Sequence, residues 1–242
     1  MSVLLQLKIA RSASDLAHIL GYEPKKLTYI AYKIPDEDKY TTFQIPKKTG
    51  GTREILAPTQ KLKQLQSRIS DLLYGCLEER YKNFPMKKRA SHGFSKGLSI
   101  ETNAKKHTGQ RFVFNIDLQD FFPSINFGRV RGFLIKNHFF ELDPKVATVI
   151  AQIACFKGRL PQGSPCSPII SNLIAQPLDL HLLQLAKNNH CTYSRYADDI
   201  TFSSRSRSFP KAIAFERNRI LSAIEKFAFR NPPSHNWEVG GS

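Results

Sequence analysis

The chain has 242 residues, of which 41% are hydrophobic and 23% are charged. This composition is typical of a globular protein and excludes a disordered chain as the default interpretation. No stretch approaches the roughly 20 apolar residues that a membrane-spanning helix needs, and the first residues show neither a cationic leader nor a cleavage site for export.

The charge balance is strongly basic. Lysine and arginine number 36 against 20 aspartates and glutamates, which gives a formal net charge of +16. Such an excess favours nucleic acid over an anionic membrane as the partner, because each neutralised phosphate releases condensed counterions. The cysteines are scattered without metal-ligand spacing, which predicts reduced, mostly buried thiols in a cytoplasmic protein. They are Cys76, Cys155, Cys166 and Cys191.

Helix caps and turn residues predict short helices near the N-terminus. Ser12 or Ser14 can cap a helix that stops at Gly21, and Pro24 can open a second helix that runs to about Tyr32. The acidic residues 36–38 that follow are predicted to form a loop.

A hairpin and a long helix are predicted next. Two β-prone runs, residues 41–45 and 53–56, flank a basic Gly-Gly turn, which is typical of a hairpin. After Thr59 the apolar residues recur at helical spacing, which predicts a long amphipathic helix. Its apolar positions are Leu62, Leu65, Ile69, Leu72, Leu73, Cys76 and Leu77.

The second half of the chain mixes strands and helices without strict β-α-β alternation, so the predicted fold class is α+β. A polar, basic stretch at residues 82–107 leads into it. The elements that follow are a strand at 111–117, helices starting at Asn126, Asp143 and Ser167, a hairpin at 191–203 and a final helix from 208 to about 229.

Two adjacent aspartates, Asp198 and Asp199, are predicted at the turn of the second hairpin. Because like charges repel, their exposure on a tight turn favours a bound divalent cation such as Mg²⁺, although a solvated turn is the alternative. The strand that ends at Asp117, with Asp120 just beyond it, can add a third carboxylate. Two-metal phosphoryl transfer needs such a set, while a plain turn residue is the alternative for Asp117.

Residues 160–168 are kept from being helical by proline and glycine until Ser167. Gln162 and the exposed backbone groups of this stretch can contact a nucleotide or a base pair. A simple connecting loop is the alternative, and this stretch by itself favours it.

Taken together, these segments resemble the ordered palm motifs of reverse transcriptases. The matching segments are NIDLQDFFPS at 115–124, LPQGSP at 160–165 and YADD at 196–199. The first hairpin with residues 53–55 resembles the fingers motif, and NAKKH at 103–107 resembles the Asn-Ala-x-x-His segment of retron reverse transcriptases. The resemblance covers roughly residues 40–229.

The resemblance implies a right-hand polymerase fold, in which a palm with a small antiparallel sheet packs on helices. It implies N-terminal helices and fingers at residues 1–110, a palm at 111–230 and a truncated tail or linker at 231–242, without the family's thumb. Asp117, Asp198 and Asp199 then match the carboxylates that hold two Mg²⁺ ions and carry catalysis.

The resemblance also assigns residues to the incoming nucleotide. Phe122 matches the aromatic ring that blocks a nucleotide 2′-OH, which suits an enzyme that makes DNA. Packing in the core is the alternative role for Phe121 and Phe122. The other assigned residues are Asp120 and Phe121 at the triphosphate, Gln162 beside the nucleotide, and Arg53 on the phosphates with Lys47 or Lys48 as a second cation. A solvated basic turn is the alternative for the two lysines.

The implied function is RNA-directed DNA synthesis. The implied partners are an RNA template, an RNA–DNA hybrid and deoxynucleoside triphosphates, and no membrane is involved. A retron enzyme would use a structured noncoding RNA and work with an effector protein in phage defence. The alternatives are a non-retron bacterial defence reverse transcriptase and an inactive RNA-binding fragment.

Overall fold

The structure is a computed structural model that describes residues 2–46, 51–83 and 90–208, together with residues 210 and 213. The predicted basic tip with Lys47 and Lys48, nearly all of the predicted final helix and the tail lie outside the described residues. Helices and small antiparallel sheets mix in the described part, in agreement with the predicted α+β class. No helix there is both long enough and apolar enough to cross a membrane.

The chain divides into two compact units. The first comprises residues 1–86 and 122–171, and the second comprises residues 87–121 and 172–242. The division into fingers at 1–110 and palm at 111–230 remains a prediction.

The helices in the described residues are α1 (Val3–Ile9), α2 (Ala13–Ile19), α3 (Pro24–Thr28), α4 (Gln60–Asn83), α5 (Ile100–Lys105), α6 (Phe121–Ser124), α7 (Phe127–Lys136), α8 (Pro144–Ala154) and α9 (Ser167–Asn188). The strands are β1 (Tyr40–Pro46), β2 (Thr52–Pro58), β3 (Phe112–Asp117), β4 (Thr192–Tyr196) and β5 (Asp199–Ser204). A π-helical turn (Tyr29–Lys33) extends α3, and a single 3-10 turn (Asp36–Asp38) stands where a loop was predicted.

Three short helices of the described residues, α1, α5 and α6, are absent from the sequence prediction. The side chain of Glu79 on α4 accepts hydrogen bonds from the backbone nitrogens of Val3 and Leu4, at 2.7 and 3.1 Å. Ser2 also caps the helix locally, because its hydroxyl accepts from the Leu5 nitrogen at 3.3 Å. The start of α1 is therefore held by one local contact and by the distant Glu79, and the second contact cannot be predicted from local periodicity. Helix α5 begins with a capping box between Ser99 and Thr102, a signal that lies inside a stretch otherwise rich in polar residues.

Helix α4 forms the centre of the first unit. Its apolar face is buried, as the helical spacing predicts, and the helix contacts α1 and α8. On the same face, the buried Gln66 amide donates to the Tyr40 hydroxyl at 2.7 Å and to the Ile153 carbonyl at 2.9 Å. These bonds tie the first hairpin and α8 to α4, because a buried polar group left without partners is costly.

The loop that precedes α9 is joined to the first hairpin. The Leu56 nitrogen on β2 donates to the Gln162 carbonyl at 2.9 Å. Gly163 has a φ of +120°, and a Cβ at this position would lie 2.5 Å from the Leu56 carbonyl oxygen. Only glycine meets both conditions, so the close approach of the loop to β2 depends on it.

A three-stranded antiparallel sheet in the order β3-β5-β4 forms the core of the second unit. The central strand β5 is buried along its length after Asp199. Helix α9 lies on one face, where Asp179 accepts hydrogen bonds from Tyr193 and Arg195 of β4. The other face carries the side chains that alternate with these, among them Ser194.

The close approach at Gly163 yields a stability prediction. Gly163→Ala is expected to lower the free energy of unfolding by about 3 kcal/mol, because a disfavoured φ adds to a steric clash with the Leu56 carbonyl. Gly158→Ala is the matched control, since Gly158 has a φ of +75° and nothing within 4 Å of an added Cβ. It should cost about 1 kcal/mol. Urea denaturation of the two variants measures the difference, and equal losses would contradict the clash.

Candidate active site

The predicted carboxylates of β3 and β5 stand directly opposite each other. In the antiparallel register, Asp117 pairs with Asp199, one residue beyond the Ile116–Ile200 pair. Residues opposite each other in such a pair project to the same face, with Cβ atoms about 4.5–5.5 Å apart. Both aspartates are exposed, so the sheet presents two neighbouring carboxylates to solvent at one end.

The turn between β4 and β5 brings the third carboxylate to the same end. It consists of Ala197 and Asp198, between the paired residues Tyr196 and Asp199. The backbone nitrogen of Leu118 donates to the Asp198 carbonyl at 3.1 Å, which fastens the turn to the end of β3. The structure thus brings together the three aspartates that the sequence analysis selected.

The electrostatics of the three aspartates suit a cation. Partial burial raises the pKa of Asp199, and the charges of Asp198 and Asp117 raise it further. Oxygen donors whose mutual repulsion raises a pKa are suited to a hard divalent ion such as Mg²⁺. Within the described residues, no group of three or more histidine, cysteine, aspartate or glutamate side chains is already arranged as a metal site.

The residues that follow β3 differ in burial. Asp120 is exposed and has a positive φ of 50°. Phe121 is buried, with its ring centroid 5.7 Å from the Arg195 guanidinium carbon. Phe122 is half-buried and begins the second segment of the first unit. Of the two aromatic rings, Phe121 is therefore a core side chain, and Phe122 keeps part of its surface open.

Arg53 and Gln162 both belong to the first unit. Arg53 is exposed on β2, opposite Ile45, and Gln162 is half-buried in the loop before α9. The hydrogen bond between the Leu56 nitrogen and the Gln162 carbonyl joins the strand of one residue to the loop of the other. The two predicted nucleotide contacts are thus carried by one connected part of the first unit.

The sequence analysis missed a buried ion pair next to the turn of Ala197 and Asp198, which is called the aspartate turn below. Arg195 is fully buried, and its Nε and Nη2 donate to the two carboxylate oxygens of Asp179, each at 2.8 Å. A charged residue in the middle of a strand, and an aspartate within the apolar stretch of α9, are the signals that could have revealed it. Lone charges are rarely buried unless they are paired.

His107 forms a second buried polar contact in this unit. Its Nδ1 lies 2.6 Å from the Ser203 hydroxyl and its Nε2 lies 2.7 Å from the Ser194 hydroxyl. One ring nitrogen donates and the other accepts, so the neutral imidazole joins β4 to β5. Burial lowers the pKa of His107 to about 4, helped by the nearby Lys106 and His92.

Comparison with known proteins shows which family the chain is similar to. Residues 45–230 match the family described as Reverse transcriptase (RNA-dependent DNA polymerase). The chain is 37% identical over 237 residues to Retron Mx65 reverse transcriptase of Myxococcus xanthus, a match that covers 90% of this chain and 52% of that protein. It is 33% identical over 222 residues to Retron Ec86 reverse transcriptase of Escherichia coli, covering 91% of this chain and 64% of that protein.

A third relative, Retron Mx162 reverse transcriptase of Myxococcus xanthus, is 34% identical over 246 residues. That match covers 92% of this chain and 49% of the relative. The chain therefore spans between about half and two thirds of the length of these curated relatives.

The low pKa of His107 predicts a loss of stability in mild acid. As the pH falls below about 6.5, the unfolded chain takes up a proton on this histidine before the folded chain does. The stabilisation is fully present above pH 6.5 and is lost towards pH 4. Between pH 7 and pH 5 the residue should account for about 2 kcal/mol of the free energy of unfolding.

Urea denaturation at the two pH values measures this effect. His107→Gln should show a smaller decrease than the unmodified protein. His181→Gln is the matched control, because it removes an exposed histidine of α9, and it should show the same decrease as the unmodified protein. An NMR titration that places the His107 imidazole near pH 6.5 would contradict the assignment.

Proposed function

The chain belongs to the reverse transcriptase family, and we propose that it forms the fingers and palm of an enzyme that synthesises DNA on an RNA template. The observation that carries the proposal is the register that sets Asp117 opposite Asp199, with Asp198 in the adjoining turn. In this proposal the sheet β3-β5-β4 is the centre of the palm, and the β1–β2 hairpin belongs to the fingers.

The reaction is the attack of a primer hydroxyl oxygen on the α-phosphate of a deoxynucleoside triphosphate. A phosphodiester bond forms, the bond to the β-phosphate breaks, and pyrophosphate leaves. Asp117, Asp198 and Asp199 would hold two Mg²⁺ ions. When bound, such ions lower the pKa of the attacking hydroxyl and neutralise charge on the triphosphate. The aspartates would provide the oxygen ligands at one end of the sheet.

The residues assigned to the nucleotide act by charge and shape. The exposed Arg53 guanidinium would neutralise phosphate oxygens, and Gln162 would pack beside the nucleotide. The backbone at Asp120 and Phe121 would receive the triphosphate, which their position directly after β3 supports. Phe122, which is half-buried, would exclude a ribose 2′-OH.

The template is proposed to be a structured noncoding RNA, primed from one of its own hydroxyl groups. Similarity to several retron reverse transcriptases supports this, and so does a net charge of +16, which suits phosphate backbones. A role in phage defence beside an effector protein belongs to the same proposal. Four unpaired cysteines suit a cytoplasmic enzyme.

Removal of one carboxylate tests the chemistry. In the complete protein, Asp198→Asn is expected to reduce primer extension on an RNA template by about 1000-fold with Mg²⁺ present, because the ligand charge is lost. RNA affinity should change by less than about twofold, since phosphate contacts come from basic residues.

The matched control is Asp71→Asn, which removes the same charge from an exposed position on α4. It should extend primers at the unmodified rate. Equal extension by Asp198→Asn and the unmodified protein would remove the mechanism. RNA binding without extension by the unmodified protein would favour the inactive RNA-binding alternative.

The choice of sugar is tested at the adjacent phenylalanines. Phe122→Ala is expected to raise ribonucleotide incorporation relative to deoxynucleotide incorporation by at least about 10-fold, because the ring no longer meets the 2′-OH. Phe121→Ala is the control. It removes a buried ring, so it should lower the free energy of unfolding by about 3 kcal/mol and leave the sugar preference unchanged. Competition assays with paired nucleotides measure the ratio, and an unchanged ratio in Phe122→Ala would exclude this residue.

A further inference from the structure

We infer that Arg195 and Asp179 are positioning residues that hold the aspartate turn in the conformation that catalysis requires. The inference rests on the proposed function, because it takes the turn with Asp198 as the part that binds metal ions. Neither residue is assigned to the metal ions or the nucleotide, and both act through the backbone of the turn.

The Arg195 guanidinium has no contact with solvent and uses all three of its nitrogen atoms. Nε and Nη2 form a two-point ion pair with Asp179 on α9. Nη1 donates to the carbonyl oxygen of Ala197 at 2.7 Å. A planar guanidinium can satisfy these acceptors together, whereas a lysine ammonium is a point charge without the planar fork.

The carbonyl that Arg195 binds belongs to a strained residue. Ala197 has a φ of +56°, the left-handed region that costs a non-glycine residue free energy. Such a conformation persists only where its surroundings hold it in place. The bond from Arg195 on one side of the turn and the bond from the Leu118 nitrogen to the Asp198 carbonyl on the other hold both central residues.

A neighbouring segment, residues 90–93, packs against the turn. The Arg195 nitrogen donates to the Ala90 carbonyl at 3.0 Å, and the His92 nitrogen donates to the Arg195 carbonyl at 2.7 Å. Gly93 then lies so close that a Cβ would come within 2.4 Å of the Ala197 nitrogen. This contact leaves the turn little freedom to move towards the segment.

Asn172 on α9 links the ion pair to this segment. Its Nδ2 donates to the Gly93 carbonyl at 2.7 Å, and its Oδ1 accepts from Nη1 of Arg195 at 3.3 Å and from the Ser91 hydroxyl at 3.0 Å. The helix, the segment and the strand are thus joined by one buried polar network around Arg195.

Precise placement of this turn matters because a displacement of about 1 Å in a reacting constellation can cost about 100-fold in rate. A residue that holds the Ala197 carbonyl therefore affects the rate of chemistry and the metal requirement. It leaves RNA affinity unchanged, because the backbone contacts to RNA come from the basic surface.

Arg195→Lys in the complete protein tests the inference. We expect kcat for primer extension to fall by about 10- to 100-fold and the nucleotide KM and RNA affinity to change by less than about twofold. The Mn²⁺ concentration that half-saturates the protein, measured by electron paramagnetic resonance without nucleotide, should rise. Amide hydrogen exchange in residues 196–199 should quicken.

Tyr193→Phe is the matched control within the same network. It removes the hydroxyl that donates to Asp179 Oδ1 and leaves the Arg195 bonds to Asp179 and to the Ala197 carbonyl in place. It should retain the unmodified kcat, Mn²⁺ affinity and exchange rates at the turn. The inference is overturned if the two variants change these quantities equally, or if Arg195→Lys changes none of them.

The two proposals fail separately. If the unmodified protein extends no primer on any RNA template, the proposed function fails. The Mn²⁺ and hydrogen-exchange comparison of Arg195→Lys with Tyr193→Phe still decides whether Arg195 holds the turn. Gly93→Ala provides an independent second test. The added Cβ would push the Ala197 backbone out of its position, which should weaken Mn²⁺ binding even with the ion pair intact.

Discussion

The pairing of β3 with β5 in a single register is the constraint on which the candidate site depends. Side chains alternate between the two faces of a strand, so a slip of one residue would carry Asp117 to the face opposite Asp199. Side-chain burial along β3 alternates with the same two-residue period. Phe112, Phe114 and Ile116 are less exposed than the residues between them. The bond from Leu118 to the Asp198 carbonyl confirms the register at its far end. The same hydrophobic pattern that forms the core thus determines where the carboxylates meet.

Both faces of the sheet use buried polar contacts to fix β4, the strand that leads into the turn. On one face Arg195 binds Asp179 of α9, and on the other His107 lies between the hydroxyls of Ser194 and Ser203. Apolar side chains of similar volume would pack as well, but they would not select one relative position of the strands. Directional hydrogen bonds do select one, because each buried donor or acceptor that loses its partner costs about 1–3 kcal/mol.

Much of this arrangement could be predicted from the sequence, and the exceptions share a physical cause. The hairpins, α4 and the caps at Ser12, Asn126 and Asp143 follow from local rules of periodicity and hydrogen bonding. The grouping of the aspartates was expected from the resemblance of residues 115–124 and 196–199 to two palm motifs. The Glu79 contacts at the start of α1 and the Arg195–Asp179 pair join residues that are distant in the chain. No local pattern states which distant residue will satisfy a buried charge, so these features could not be predicted from the sequence.

The free-energy cost of burying the Arg195–Asp179 ion pair indicates that the pair has a role beyond stability. Burying two charges requires their desolvation, and apolar residues of similar volume are often as stable or more stable in such places. Stability alone therefore does not explain a buried arginine at position 195. Its third nitrogen binds the carbonyl of the strained Ala197, a bond that an apolar replacement could not make. The exposed Arg53 shows the contrast, since its charge faces solvent and remains available to an anionic ligand. Two arginines in one chain thus differ in role through burial: one orients the backbone beside the carboxylates, and the other presents its charge at the surface.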